Sequence, residues 1–417
     1  MVEDRKFWVL CAVSSVRNRL PLAVIVLGLT SLFTDIGTEM IFPLLPAFIL
    51  TLGGGAAFLG VVEGVADATS SLLKLGTGLY ADRLPRKKPL VVAGYALASL
   101  VRPFVALATR PWHVLVVRVS DRVGKGVRSS PRDLLIAAAA PAGEAGRAFG
   151  VHQAMDHAGA MIGPLVATLL LAQGWSLRAV FWAAAVPGIL ATLCVMSVRE
   201  PAPAGADSAA APLRQPTSTE QESVGAPPVE RLSPRLKSYL WILLLFALGN
   251  SSDAFLLLRA HELGVRTALL PLLWTAFHVV KFGSAYYGGR YSDRVPRARL
   301  IIAGWVVYAF TYLGFGMARA PLHAWLCFLL YGFYFGLTEP VEKALLKDIA
   351  PTAARGKAYG YYNFIIGISA IPASLLTGML WQRFGASAAL SVGAALAASA
   401  SVLIALWSRR NWTVVSD

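Results

Sequence analysis

The sequence has little charge for its length. Only 15% of its 417 residues are Asp, Glu, Lys or Arg, whereas 56% are hydrophobic, and the mean hydropathy is +0.59. Ordinary soluble domains carry about 25% charged residues, so this composition excludes a typical water-soluble protein. The solvent around most of the chain is therefore lipid.

Cysteine is scarce as well. Cys11, Cys194 and Cys327 are far apart and show neither a CxxC pair nor the spacing of zinc ligands, so we expect them to fill apolar positions. The sequence also lacks the HExxH, GxSxG and Walker motifs of metalloproteases, hydrolases and ATP-driven pumps. We predict that the protein is not an enzyme and that it holds no cofactor and no metal.

Long apolar runs are abundant. Each run has about 20 residues, which is enough to cross a hydrocarbon core of about 30 Å as a helix, and lipid tolerates no unpaired backbone groups. The sequence predicts an all-α membrane protein with twelve transmembrane helices in two pseudo-symmetric six-helix bundles. The predicted spans are 21–49, 57–81, 89–109, 112–135, 148–173, 178–198, 238–259, 267–290, 299–317, 322–345, 358–381 and 386–407.

Basic residues are concentrated in alternate loops. Arg86, Lys87 and Lys88 follow the second span, whereas the loop at 51–56 carries no charge. By the positive-inside rule both termini are cytoplasmic, and the protein lies in the cell inner membrane. The net charge of +15 then reflects topology, and no nucleic-acid partner is expected. The expected partners are a small-molecule substrate, protons and the lipid bilayer, and we expect a monomer.

Two segments outside the spans complete the domain organisation. The stretch 199–236 is rich in proline, alanine and serine and cannot bury a core, so it is predicted to be a flexible cytoplasmic linker. The start of the chain is too short in apolar residues for a cleaved signal peptide. The predicted divisions are a lead-in at 1–20, an N-terminal bundle at 21–198, the linker at 199–236, a C-terminal bundle at 237–407 and a tail at 408–417.

An internal repeat links the two halves. The stretch from Gly78 to Arg86 contains Asp-Arg, one apolar residue and Pro-Arg, and the same text recurs from Gly289 to Arg297. Each copy ends an apolar run and begins a basic loop. Two parallel repeats of six helices are the architecture of alternating-access carriers.

These residues resemble the major facilitator superfamily over essentially the whole chain. Gly78 to Leu90 is similar to its loop 2–3 signature, and Arg118 with the polar and small positions after it is similar to its helix 4 motif. Gly159 to Pro164 is similar to the helix 5 motif of antiporters, but Ala167 replaces its last glycine. The resemblance implies a secondary transporter of a bacterial subgroup close to drug/proton antiporters.

The repeated loop residues are predicted to form a conformational latch. A carboxylate at the end of a helix can accept hydrogen bonds from a neighbouring helix or an arginine, and breaking them would accompany opening to the cytoplasm. Topology alone also explains the basic residues, but the carboxylate present in both copies favours the latch. The predicted latch residues are Gly78, Asp82, Arg83, Arg86, Gly289, Asp293 and Arg294.

Ionisable residues within the spans are the main functional candidates of the first half, because they are costly in lipid. Three interpretations remain open: proton coupling, which we favour, a divalent metal site, and pairing that only holds the bundle together. The proton-coupling candidates are Asp35, Glu39, Asp67 and Asp156. Their predicted charge partners are Lys74, Arg102, Arg118, Asp121, Arg122 and Lys125, and Arg128 is expected to extend to the membrane interface.

The second half has fewer charges and many aromatic residues. Aromatic faces can line a cavity for an organic molecule, although a single aromatic residue more often only packs. The predicted substrate-cavity residues are Asn250, Asp253, Trp274, His278, Lys281, Tyr331, Tyr334, Glu339, Tyr362 and Asn363.

The sequence therefore predicts a secondary active transporter that moves a small organic or amphipathic solute by proton-coupled export. Two alternatives remain: proton-coupled uptake of an organic anion or a metal chelate, and a receptor on the same scaffold that transports nothing.

Overall fold

The protein is described by a computed structural model, which covers residues 20–81, 86–140, 145–200, 233–291, 295–350 and 355–412. Over these residues the chain is helical and contains no strand. We label the helices α1 (Leu22–Thr51), α2 (Ala56–Ala81), α3 (Lys88–Leu107), α4 (Pro111–Ala139), α5 (Ala145–Ala172), α6 (Leu177–Ser197), α7 (Pro234–Glu262), α8 (Leu270–Tyr291), α9 (Arg297–Met317), α10 (Pro321–Ile349), α11 (355–384) and α12 (386–412).

Several helices bend where the sequence requires it. In α1 a short 3₁₀ turn, Phe42–Leu44, contains Pro43 and precedes Pro46, because proline lacks the N–H that an α-helix would use. In α7 the helix stops at Gly249 and resumes at Ala254. The last two helices form one continuous stretch, Arg355–Trp412, interrupted only by Gly385, whose φ of 83° suits glycine.

Among the described residues, ten stretches are long and apolar enough to cross a membrane. This number is smaller than the twelve predicted spans for two reasons. The stretch Ala358–Arg409 contains both of the last two spans. Helix α4 has 29 residues but carries too many charges to qualify by hydropathy.

The predicted domain boundaries are only partly within the described residues. Residues 1–19 and 201–232, which hold most of the predicted lead-in and linker, lie outside them. The linker was expected to end at 236, but α7 begins at Pro234, because the Ser233 hydroxyl caps it by accepting from the Leu236 N–H at 3.2 Å. At the other end α12 continues to Trp412, into the predicted tail.

Six helices pack together in each half. Helix α1 packs against α5 and α6, and α4 packs against α2 and α3. Glycines allow these close approaches: a Cβ at Gly163 of α5 would lie 2.5 Å from the Ile36 carbonyl oxygen of α1. In the second half α8 packs against α10, and α7 and α9 pack against the α11–α12 stretch. Each half is thus a bundle of six helices, as the internal repeat predicts.

The halves meet mainly through α2 with α11 and α5 with α8. We call the end of the molecule that contains Leu22, Arg86 and Lys88 the basic face. The other end, which contains the α1–α2 turn at Gly53, is the opposite face. The two faces differ in how closely the halves approach each other.

The α2–α11 pair is tight from the opposite face to about the middle of both helices, where a Cβ at Gly367 would overlap the Ser71 Cβ. A Cβ at Gly378 would lie 2.8 Å from the Ala56 carbonyl oxygen, and one at Gly64 would lie 3.2 Å from the Ile371 Cα. Toward the basic face, a Cβ at Gly76 or Gly360 would meet no described atom of another element within 4 Å. The halves therefore separate toward the basic face, and the space between them opens there.

Candidate functional site

A cavity of about 650 Å³ lies between the two halves. All four predicted proton-coupling carboxylates line it, as do four of the six predicted charge partners: Arg102, Asp121, Arg122 and Lys125. The other two, Lys74 and Arg118, do not line the cavity; Lys74 is exposed, and Arg118 is buried behind Glu63. The ten predicted substrate-cavity residues all line the cavity as well: Asn250, Asp253, Trp274, His278, Lys281, Tyr331, Tyr334, Glu339, Tyr362 and Asn363.

The predicted latch lies mostly outside the described residues, namely at Asp82, Arg83, Asp293 and Arg294. Gly78 of α2 is described, and a Cβ there would lie 3.4 Å from the Ser130 hydroxyl oxygen of α4. Arg86 is exposed on the basic face, and Gly289 lies in α8. The latch remains a prediction.

Two buried ion pairs fix the charged face of α4. The Arg118 guanidinium donates from two nitrogens to the two Glu63 carboxylate oxygens of α2, both at 3.0 Å. The Arg102 side chain of α3 donates to Asp121 at 2.7 Å and also to the Thr34 carbonyl oxygen of α1 at 3.2 Å. These arginines therefore tie α1, α2, α3 and α4 into one unit and neutralise both carboxylates.

A third pair on α4 is looser. The Arg122 Nε lies 3.6 Å from an Asp67 carboxylate oxygen, and 42% of the Asp67 side chain is exposed. Asp67 thus has a cationic partner and also contacts the open part of the cavity.

Two further carboxylates contact each other. The Asp35 carboxyl of α1 lies beside that of Asp156 of α5, which also accepts a hydrogen bond from the Ser31 hydroxyl at 2.5 Å. The glycine contacts between α1 and α5 bring them together, since Gly159 leaves room for the Asp35 Cβ. Two neighbouring carboxyl groups repel each other less when one of them carries a proton. This pair can therefore hold a proton inside the bilayer.

Contacts between the halves occur at the closed end of the cavity. The Trp274 indole N–H of α8 donates to a Glu39 carboxylate oxygen of α1 at 2.7 Å, and the Trp274 ring lies 5.2 Å from that of Phe42. The Ser252 hydroxyl of α7 donates to Glu63 at 3.4 Å. Glu39 and Glu63 thus contact both halves.

The wall formed by the second half is aromatic. Tyr331 and Phe277 are stacked with their ring centres 5.4 Å apart, and Tyr331 and Tyr334 are nearly parallel at 5.6 Å. The Tyr331 hydroxyl donates to Asp253 at 2.7 Å. This wall offers ring faces together with a few polar groups, as sites for organic ligands do.

Glu342 was missed by the sequence analysis. It is buried and lines the cavity, where it accepts hydrogen bonds from the Trp305 indole at 3.0 Å and the Tyr362 hydroxyl at 2.8 Å. A signal was present in the sequence, because Glu342 continues the helical stripe of Tyr331, Tyr334 and Thr338 on α10.

The prediction that Arg128 extends to the membrane interface is wrong. Arg128 is only 5% exposed, and its guanidinium lies 4.4 Å from the ring centre of Tyr95 on α3. Close packing of α3 against α4 holds it inside, because a Cβ at Gly94 would already lie 2.7 Å from the Arg128 Cβ.

The metal interpretation has no matching geometry within the described residues. No three side chains of His, Cys, Asp or Glu come together there in a group that could hold a metal ion.

Comparison with known proteins identifies the family. The profile of the Major Facilitator Superfamily matches residues 27–373, most of the chain. The protein belongs to the Major Facilitator Superfamily. It is therefore a multi-pass membrane transporter, and its family is one of transporters and not of enzymes.

Relatives of the transporter include proteins of different origin. It is 29% identical to an uncharacterized MFS-type transporter of Methanocaldococcus jannaschii, over 86% of this chain and 88% of the relative. It is 26% identical to the multidrug resistance protein MdtH of Cronobacter sakazakii, over 84% of each chain. Among solved structures, the chain is similar to a bacterial homologue of the human lysosomal transporter Spinster in an inward-facing and occupied conformation. The TM-score is 0.71 and the sequence identity 17%, over 93% of this chain and 96% of that one.

Proposed function

We propose that the transporter exports a small organic solute in exchange for protons. The closeness of the Asp35 and Asp156 carboxyl groups supports this proposal, because a proton shared between them would relieve their repulsion at membrane depth. Of the other first-half carboxylates that line the cavity, Asp121, Glu63 and Asp67 have arginine partners, and Glu39 has an indole partner across the cavity.

The position of the cavity supports the direction of transport. It opens toward the basic face, which the positive-inside rule assigns to the cytoplasm of a cell with an inner membrane. A solute from the cytoplasm would enter there, and the tight α2–α11 contact would separate before release. The relation to a multidrug resistance protein favours export over uptake.

The proposed cycle alternates between proton and solute. The solute binds in the cavity while it is open to the basic face, the halves rock about the cavity, and a proton then binds the Asp35–Asp156 pair from the opposite side. One charge moved through 100 mV corresponds to about 2.3 kcal/mol, or about fortyfold accumulation. We also propose that the transporter acts as a monomer, with the residues between α6 and α7 as the link between the two bundles.

The test uses the purified transporter in proteoliposomes. A thermal-shift screen supplies a solute, and its flux is then measured under an imposed pH gradient together with the internal pH. We expect Asp35→Asn and Asp156→Asn to abolish the pH change that accompanies solute movement. Asp133→Asn is the matched control, because Asp133 is a half-exposed carboxylate paired with Arg132 and does not line the cavity.

Two results would contradict the proposal. Normal coupling in both variants would show that this pair is not the proton site. Movement of solute and proton in the same direction would show symport, the alternative mechanism.

A further inference from the structure

Arg128 has no role in the proton exchange proposed above. It lines the cavity and is 5% exposed. Its Nε and one terminal nitrogen are fully buried and have no hydrogen-bond acceptor among the described residues. Its guanidinium lies 4.4 Å from the ring centre of Tyr95.

A buried arginine without a partner costs more free energy than a buried carboxyl group without one, because only the carboxyl group can become neutral. A buried carboxylate can bind a proton and become neutral, and Asp253 and Glu342 accept hydrogen bonds from aromatic side chains. Arginine keeps its charge in proteins, and an aromatic ring compensates a buried guanidinium only in part. The tight packing at Gly94 holds the side chain in this position. Arg128 is thus a preorganised cation that lacks an anion.

Two other cations of the cavity share this property. Lys125, one turn before Arg128 on α4, has no carboxylate oxygen within 4.0 Å among the described residues, and the same is true of Lys281 on α8. The other cavity cations, Arg102, Arg122 and Lys343, have carboxylate partners. Arg128, Lys125 and Lys281 therefore have no carboxylate within ion-pair distance among the described residues, and they come from both halves.

Lys281 also connects these charges to the aromatic wall. Its ammonium lies 3.7 Å from the ring centre of Phe335 and 6.0 Å from that of Phe277. An acidic group bound at Lys281 would therefore lie beside aromatic rings that can pack against an apolar body.

We propose that the cargo is an amphipathic organic anion. Its acidic group binds Arg128 and Lys125 of the first half and Lys281 of the second, and its apolar body packs against Phe277 and Phe335. This proposal rests on the proposed export function, whose solute it defines by charge.

An anion in this position has consequences for the transport cycle. It attracts cations on both halves at once, so its binding favours the arrangement in which the halves approach each other near the basic face. Export of a monovalent anion also moves charge in the same electrical sense as import of a proton. Each charge contributes about fortyfold per 100 mV to the gradient that the transporter can maintain.

The test compares three probes of nearly equal shape. 2-Naphthoate is an anion, 2-naphthamide is neutral, and 2-naphthylmethylammonium is a cation. Their binding to the full-length purified transporter is measured by isothermal titration calorimetry without any pH gradient. We expect 2-naphthoate to bind at least about tenfold more tightly than the other two, since the acidic group is what the cations recognise.

Two matched pairs of variants test the residues. Arg128→Gln should weaken 2-naphthoate binding by at least about tenfold and leave 2-naphthamide unchanged. Arg299→Gln removes an exposed charge that does not line the cavity and should change neither. Lys281→Met should weaken 2-naphthoate binding in the same way. Lys343→Met is its control, because Lys343 is already paired with Glu339.

A stability measurement separates binding from a structural role. Removing a buried charge that has no acceptor should leave the melting temperature of Arg128→Gln equal to that of the wild type or higher. A lower melting temperature, with 2-naphthoate affinity unchanged, would show that Arg128 only holds α3 and α4 together. Equal affinity for the three probes, preference for the ammonium, or no binding of any would also overturn the proposal.

This experiment is independent of proton coupling. If 2-naphthoate binds through Arg128 but Asp35→Asn still exchanges protons normally, the proposed proton site fails and the anion site stands. If no charge preference is found while the Asp35 and Asp156 variants lose coupling, the anion site fails and the proposed proton site stands.

Discussion

The hydrogen bond between Trp274 and Glu39 offers a test of what keeps the opposite face closed. Trp274→Phe removes the indole N–H that donates to Glu39 at 2.7 Å and keeps an aromatic ring next to Phe42 and Phe277. Because the bond joins α8 to α1, it exists only while the halves are close at this end. Its loss therefore destabilises one conformation and not the other.

The size of the effect follows from the charge of the acceptor. A hydrogen bond to a charged group contributes about 1.5–3 kcal/mol. The equilibrium between the closed and open arrangements of the opposite face should then shift toward the open one by about 10- to 150-fold. Glu39→Gln keeps an acceptor oxygen without the charge, so its shift should be smaller. In the double variant the effects should not add, because both changes remove the same bond.

The assay is pulsed electron–electron resonance between spin labels at Thr51 and Arg266, which are exposed near the opposite face in different halves. Trp274→Phe should increase the population of long distances. Trp381→Phe is the control, because the Trp381 indole donates to Glu262 at 3.0 Å within the second half. Equal distance distributions in the two variants would refute the reasoning that this bond holds the halves together.

Two further predictions concern packing and buried charge. Glu63→Gln leaves the buried Arg118 guanidinium with only the more distant Asp121 carboxylate, at 4.0 Å. The melting temperature, measured by differential scanning fluorimetry, should then fall by an amount that corresponds to at most about 3–5 kcal/mol. An unchanged melting temperature would mean that the Glu63–Arg118 pair contributes no net stability. Gly60→Ala places a methyl group against the Ser374 carbonyl oxygen and should open the opposite face, whereas Gly76→Ala, which meets no described atom of another element within 4 Å, should not. The spin labels at Thr51 and Arg266 report the distance between the halves in both glycine variants. Equal distance distributions in Gly60→Ala and Gly76→Ala would contradict this prediction.

Much of the architecture was predictable because lipid allows few solutions. The apolar runs predicted the all-helical fold, and the bend in α1 lies at Pro43 and Pro46, as proline chemistry requires. The break in α7 between Gly249 and Ala254 falls on four polar residues, Asn250 to Asp253, which the predicted span 238–259 did not separate from the apolar run. The start of α7 at Pro234 depends on a cap at Ser233 that the proline-rich context concealed.

The partners of the charges were less predictable than their presence. Glu63, Asp67 and Lys74 lie four and seven residues apart and so share one face of α2. This spacing does not indicate that Glu63 binds Arg118 while Lys74 stays exposed. The position of Arg128 depends on how closely α3 approaches α4 at Gly94. The residue pattern of a single helix gives no information on that distance. Glu342 was overlooked because its partners, Trp305 and Tyr362, belong to two other helices.

The glycines along α2 and α11 have a practical consequence. One pair of helices meets at Gly64 and Gly378 in the present arrangement and stays apart at Gly76 and Gly360. When the basic face closes, α2 and α11 must come into close contact at positions 76 and 360. A bulky side chain at 76 or 360 should therefore trap the transporter open to the basic face, and one at 60 or 378 should trap the other state. The same two helices thus provide sites for locking either conformation, which would allow inhibitors or antibodies to be selected against each one separately.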